Sequence, residues 1–148
     1  MKRFLDSGYA DIKSILSIGV PFIFIIGGRG TGKTYGALKY SIDEHKKIML
    51  MRRTQSQSDL VNRPEFSPFK AIASDLGVEI ITKSVSKYNS AFYLNDECIG
   101  YSCALSTVSN LRGFDASDVD LLIYDEFVPE KHERPIKNEG SAVLNAYE

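Results

Sequence analysis

The 148-residue chain is poor in the residues that staple or anchor a protein, with two cysteines, two histidines, five prolines and no apolar run longer than Val20 to Ile26. Cys98 and Cys103 stand five apart in strand-like sequence and so face opposite sides of a sheet, which excludes a bridge between them and fits a reduced, cytosolic setting. Neither lies in a Cys-x-x-Cys context, and both read as core or edge-strand fillers. His45 and His132 have no partner at metal-ligand spacing and read as surface residues. The apolar run is far too short to cross a bilayer, so no membrane partner and no secretory signal are expected. A formal net charge of −1 excludes an overall basic field directed at nucleic acid; any DNA contact must come from a local patch. With 43% apolar and 25% charged residues the composition excludes disorder and fibre alike, and the length suits one domain over residues 1–148.

What is present is a phosphate loop. Pro21 to Ile26 reads as a strand, and it runs into Gly27, Gly28, Arg29, Gly30, Thr31, Gly32, Lys33 and Thr34, which match G-x-x-x-x-G-K-[ST] ahead of helix-permissive sequence. A backbone that wraps a triphosphate must turn its N–H groups inward with dihedrals that a Cβ opposes, and the four glycines permit this. Lys33 would reach the β- and γ-phosphates, Thr34 would place its hydroxyl on Mg²⁺, and the following helix adds its positive N-terminal end. ATP and Mg²⁺ are therefore the expected cofactors.

Asp11 to Ile18 carries apolar residues at helical spacing, a short helix expected to cover the sheet edge. After the loop, Tyr35, Leu38 and Ile42 mark a helix, and Ile48 to Met51 a parallel strand covered on both faces, completing a strand, loop, helix and strand unit. Thr54 to Arg63 reads as a loop or weak helix. Ser67 and Pro68 open a helix whose apolar face is Phe69, Ile72, Ala73 and Leu76 and whose stop is Gly77. Val78 to Val85, Ala91 to Leu94 and Cys98 to Leu105 read as strands of an antiparallel insertion, about residues 78–106, riding on the parallel core. Val119 to Tyr124 is the last strand, followed by a charged, proline-broken loop and a helix that Asn138 could cap. The fold expected is α/β, a P-loop NTPase with a parallel sheet flanked by helices and this insertion.

A hydrophobic strand ending in Asp125 and Glu126, downstream of a phosphate loop, reads as a Walker B element. Asp125 would hold Mg²⁺ beside Thr34, and Glu126 would orient and polarise the attacking water. A small-molecule kinase needs no such glutamate, so the pair favours hydrolysis with motion as output.

These elements together resemble a known family. The Walker A loop from Gly27 to Thr34, the stretch Leu111 to Asp115, and the Walker B run Leu121 to Phe127 are similar to the ATPase half of phage terminase large subunits. Asp125 to Phe127, Glu130 with Lys131, and Asn138 to Asn145 resemble the DNA-packaging ATPases of small Salasmaviridae-type podophages in particular. The resemblance implies an ASCE-type ATPase and a molecular motor, a homo-oligomeric ring, a pentamer in that group, that works at the portal vertex of a procapsid in the host cytoplasm and drives double-stranded DNA inward. It implies Lys33, Glu126 and Arg112 as catalytic residues, Arg112 acting on a neighbouring subunit's nucleotide, and Arg29 as a sensor of γ-phosphate. Full packaging ATPases continue into a further strand and a nuclease-like domain, so a domain truncated at its C-terminal end is expected. The alternatives are a nucleotide-binding or assembly module without turnover and an unrelated P-loop ATPase or kinase. Arg52 and Arg53 leave the second strand on the nucleotide side, where they approach base or DNA or pair with carboxylates. Lys83 and Lys87 are either contacts to a phosphate backbone or solvated turn residues.

Overall fold

A computed structural model of the chain describes residues 4–111 and 113–147. Its centre is β1 (Ile48–Arg52), buried at every position, as an unbroken apolar run requires when both faces of a strand are covered. Alternation sends Ile48 and Leu50 to one face, where they meet Leu38, Phe69, Ile72 and Phe92. Met49 and Met51 go to the other, with Cys103 and Leu105. Burial pushes the Cys103 thiol up to about 12, which leaves it protonated and inert as a core filler.

Helices supply the two covers. On the first face lie α2 (Lys33–Asp43) and α4 (Lys70–Leu76). The latter stops at Gly77, whose φ of +63° is the left-handed turn that ends helices. Over the second face lie a 3-10 segment, Leu105–Leu111, and α5 (Glu139–Tyr147). Between β1 and α4, the stretch that reads as a loop or a weak helix is a helix. In α3 (Gln55–Val61) Thr54 and Gln57 form a reciprocal capping box, which satisfies two otherwise orphaned backbone donors.

The sheet has five strands in the order β2 (Ile80–Ser84), β3 (Ser90–Leu94), β4 (Glu97–Ala104), β1, β5 (Leu121–Tyr124). β1 is parallel to both β4 and β5, whereas β2, β3 and β4 run antiparallel. The expected insertion is therefore not a separate layer riding on a parallel core. It extends the same sheet, with β4 shared between the two patterns, and the sheet is mixed.

Two further expectations are corrected. α1 (Ile12–Leu16), capped by the Asp11 side chain on Ser14 N at 3.1 Å, packs against α2 and not over a sheet edge. Pro21 to Ile26 forms no strand. Ile23 and Ile25 pack towards Ala10, Ile12 and Ile15, but Phe24 and Ile26 are 76% and 86% exposed. An extended segment becomes a strand only when a neighbour takes its backbone groups. The described sheet ends at β5, and this segment is held by ring contacts instead, Phe22 to Tyr147 at 4.9 Å and Phe24 to Phe127 at 6.0 Å.

Candidate functional site

The glycine-rich turn carries the N-terminus of α2. Only Gly30 and Gly32 use the freedom a glycine offers, with φ of +76° and +68°, and Gly32 is the residue that launches the helix. Lys33 folds back into the turn. Its ammonium donates to the carbonyls of Gly27 and Gly28 at 2.8 and 2.7 Å and to Thr31 Oγ1 at 3.1 Å. Thr31 in turn donates to Gly28 O at 2.9 Å, which closes the cradle around the charge.

The other half of the site arrives from 91 residues away, where Thr34 Oγ1 donates to Asp125 Oδ2 at 2.8 Å. Asp125 stands just past β5, its N–H bonded to Met51 O at 3.0 Å, so the β1 and β5 pairing fixes its position. Glu126 follows with φ of +54°, a left-handed conformation that costs a non-glycine residue on the order of 1 kcal/mol or more. Its N–H donates to Asp125 Oδ1 at 2.9 Å, and its side chain is 67% exposed.

Arg52, the last residue of β1, binds both acids. Its guanidinium lies 3.1 Å from Asp125 Oδ2 and 2.6 Å from Glu126 Oε2. Two carboxylates on adjacent residues repel, and this cation holds them together. Its Nε is buried with no hydrogen-bond partner among the described residues.

Arg53 takes the opposite direction and is fully buried. It donates to Glu139 at 2.8 and 3.0 Å and to Glu133 at 2.7 Å. Tyr124 donates to Glu139 at 2.7 Å and Gln57 to Glu133 at 2.6 Å, so β1, β5, α3, α5 and the charged loop meet at one guanidinium. Arg53 holds the Glu139 carboxyl below its usual range, and burial, reinforced by Glu139, pushes the Tyr124 phenol up. Arg53 thus faces carboxylates of its own chain, and neither base nor DNA.

Arg29 projects from the loop apex, fully exposed, 3.8 Å from Glu130. Arg112 lies outside the described residues. Lys83 and Lys87 cover the rings of Tyr93 and Tyr88 at 4.8 and 5.6 Å, on the strand pair at the opposite end of the sheet from β5. Among the described residues no three His, Cys, Asp or Glu side chains gather as metal ligands, and no helix is long and apolar enough to cross a membrane.

One neighbour of the loop carries no motif that sequence reasoning could use. Tyr9 lies against Gly32, where an added Cβ would stand 2.6 Å from its ring.

Comparison with known proteins follows the same lines. The family model described as podovirus DNA encapsidation protein (Gp16) matches residues 5–148. The DNA packaging protein of Bacillus phage phi29 is 28% identical over 127 residues, 82% of this chain but only 36% of that protein's length. The crystal structure of the N-terminal domain of the DNA packaging ATPase from bacteriophage phi29 is similar with a TM-score of 0.78 at 27% identity, covering 95% of this chain and 70% of that one. The bacteriophage phi29 genome packaging motor assembly contains a chain similar at a TM-score of 0.75 and 25% identity, over 95% of this chain and 42% of that one.

Proposed function

Because the chain belongs to the podovirus DNA encapsidation protein (Gp16) family, we propose that it is the ATP-binding and ATP-hydrolysing part of a genome-packaging motor. On this reading it is a P-loop NTPase of the ASCE type whose turnover moves double-stranded DNA into a procapsid. The observation that carries the reading is the contact of Thr34 with Asp125 at 2.8 Å, beside Lys33 and the glycine-rich turn. Two hard oxygen donors meet there at a helix N-terminus, which suits Mg²⁺ and a triphosphate. Arg52 against Asp125 and Glu126 is consistent with a place that takes positive charge.

When bound, Mg²⁺ and the triphosphate supply the electrophilic phosphorus and neutralise the charge that develops in transfer. The chain's own residues do the rest. Lys33 exchanges the Gly27 and Gly28 carbonyls for phosphate oxygens, Thr34 and Asp125 hold the ion, and the N–H groups from Gly28 to Thr34 cradle the phosphates. Glu126, exposed towards solvent, orients and polarises the attacking water once it leaves Arg52. Arg29 senses γ-phosphate, and Arg112 completes a neighbouring subunit's site in a ring, a pentamer at the portal vertex of the procapsid in the host cytoplasm.

Separate substitutions test this. Lys33→Ala should abolish nucleotide binding, whereas Glu126→Gln should keep binding and lower phosphate release by roughly a hundredfold or more. Full release by Glu126→Gln would overturn the assignment of Glu126.

A second reading has its own observation. With Glu126 held by Arg52 at 2.6 Å, the chain binds nucleotide, or serves assembly, without turning nucleotide over. Phosphate release measured with and without double-stranded DNA and procapsids separates the two.

A further inference from the structure

We propose that Tyr9 is the stacking platform for the nucleoside base of the bound triphosphate, an inference that rests on the phosphate-loop reading above. Tyr9 is held on several sides. The Leu5 N–H donates to Tyr9 O at 2.8 Å and the next residue, Ala10, donates its N–H to Thr31 O at 3.0 Å, tying this strand of chain to the phosphate loop. The ring lies on Gly32, which therefore meets two demands at once, a φ of +68° and the absence of a Cβ that would come within 2.6 Å of the ring. Tyr35 meets it edge-on, with centroids 6.0 Å apart and planes at 62°. Tyr35 is itself anchored, its hydroxyl donating to Asp75 at 2.6 Å.

An aromatic ring fixed this firmly serves packing if it is covered, but Tyr9 remains 41% exposed. Its position gives the open part a use. Phosphates held at the start of α2 lie over the N–H groups of the loop and first helical turn. A sugar and base that leave along that turn would pass Gly32 and Tyr35, on both of which Tyr9 packs. Stacking recognises a π-face that every base possesses. Tyr9 therefore favours a nucleotide over a bare polyphosphate without choosing adenine over guanine.

The test compares binding of Mg²⁺·ATP, Mg²⁺·GTP and Mg²⁺·tripolyphosphate to the full chain by calorimetry. Tyr9→Leu should weaken ATP and GTP by roughly tenfold and leave tripolyphosphate unchanged, and Tyr9→Phe should restore both nucleotides. Retained tripolyphosphate binding also shows that the variant is folded. In the wild type, nuclear Overhauser effects should join the Tyr9 ring protons to H8 or H2 of bound adenine. Equal losses for all three ligands, no loss for any, or no such Overhauser effect would overturn the platform while leaving the phosphate loop standing. A wild-type chain that binds neither nucleotide nor tripolyphosphate overturns the phosphate-loop reading, and the platform with it.

Discussion

Thr34 and Asp125, 91 residues apart in sequence, share a 2.8 Å hydrogen bond in which the hydroxyl donates to the carboxylate. Asp125→Asn preserves the shape and removes the charge. It should reduce the Mg²⁺-dependent part of nucleotide affinity by roughly tenfold or more, because hydrogen bonds and ion contacts to a charged group contribute about 1.5–3 kcal/mol. Titrations with Mg²⁺ and with a chelator should converge in the variant and differ in the wild type. An unchanged Mg²⁺ response would remove Asp125 from the ion.

Arg52 keeps two neighbouring acids from repelling one another. Arg52→Met should lower stability by about 1–3 kcal/mol, discounted from the cost of breaking a fully buried pair because Glu126 is largely exposed. Millimolar Mg²⁺ should then raise the thermal midpoint of Arg52→Met more than that of the wild type, since a divalent ion takes over the missing charge. Equal shifts would mean that the ion binds elsewhere.

The buried cluster around Arg53 predicts an acid-sensitive fold. Arg53 is the chief cause of the lowered Glu139 value, so the folded carboxyl titrates below the ordinary 4.5. A group of this kind stabilises fully above its unfolded value, and the contribution is lost as pH falls through its folded value. The denaturation midpoint should therefore drop as pH falls below about 4.5, and Glu139→Gln should flatten that limb. Arg53→Ala should cost about 3 kcal/mol at neutral pH, as expected when two partly buried carboxylates lose the buried cation they share. Urea titrations across the acid range read both effects.

Gly100 of β4 lies tightly against Ile48 of β1. A Cβ there would stand 2.5 Å from Ile48 Cγ1 and 2.6 Å from the Ile48 carbonyl oxygen, which is backbone and cannot rotate away. Gly100→Ala should therefore destabilise the chain by about 1–3 kcal/mol through overpacking, with little change in nucleotide affinity per folded molecule. Denaturant unfolding followed by calorimetry distinguishes the two quantities.

Local signals carried much of this architecture. The helix α2, the buried run of β1, the stop at Gly77 and the meander of β2 to β4 all follow from spacing and turn residues. The convergence of Thr34 and Asp125 was legible because motif order implied it. Pro21 to Ile26 departs from the expected strand because an apolar extended segment has the same sequence with or without a neighbour to complete its ladder. Arg52 and Arg53 show a different limit. Strand alternation separates their directions, but Glu133 and Glu139 lie 80 and 86 residues beyond Arg53, and no local pattern announces such partners. Tyr9 was silent for the same reason, its role depending on a glycine far along the chain.

The ammonium of Lys33 is lodged between the Gly27 and Gly28 carbonyls, so on the proposed nucleotide-binding reading ligand arrival is an exchange and not a simple docking. Those two peptides present oxygen to the centre of the turn, whereas an anion requires N–H groups there, so the turn must reorganise after first encounter. Stopped-flow traces should show a rate that levels off with rising nucleotide concentration, the plateau reporting how fast the resting turn lets its lysine go.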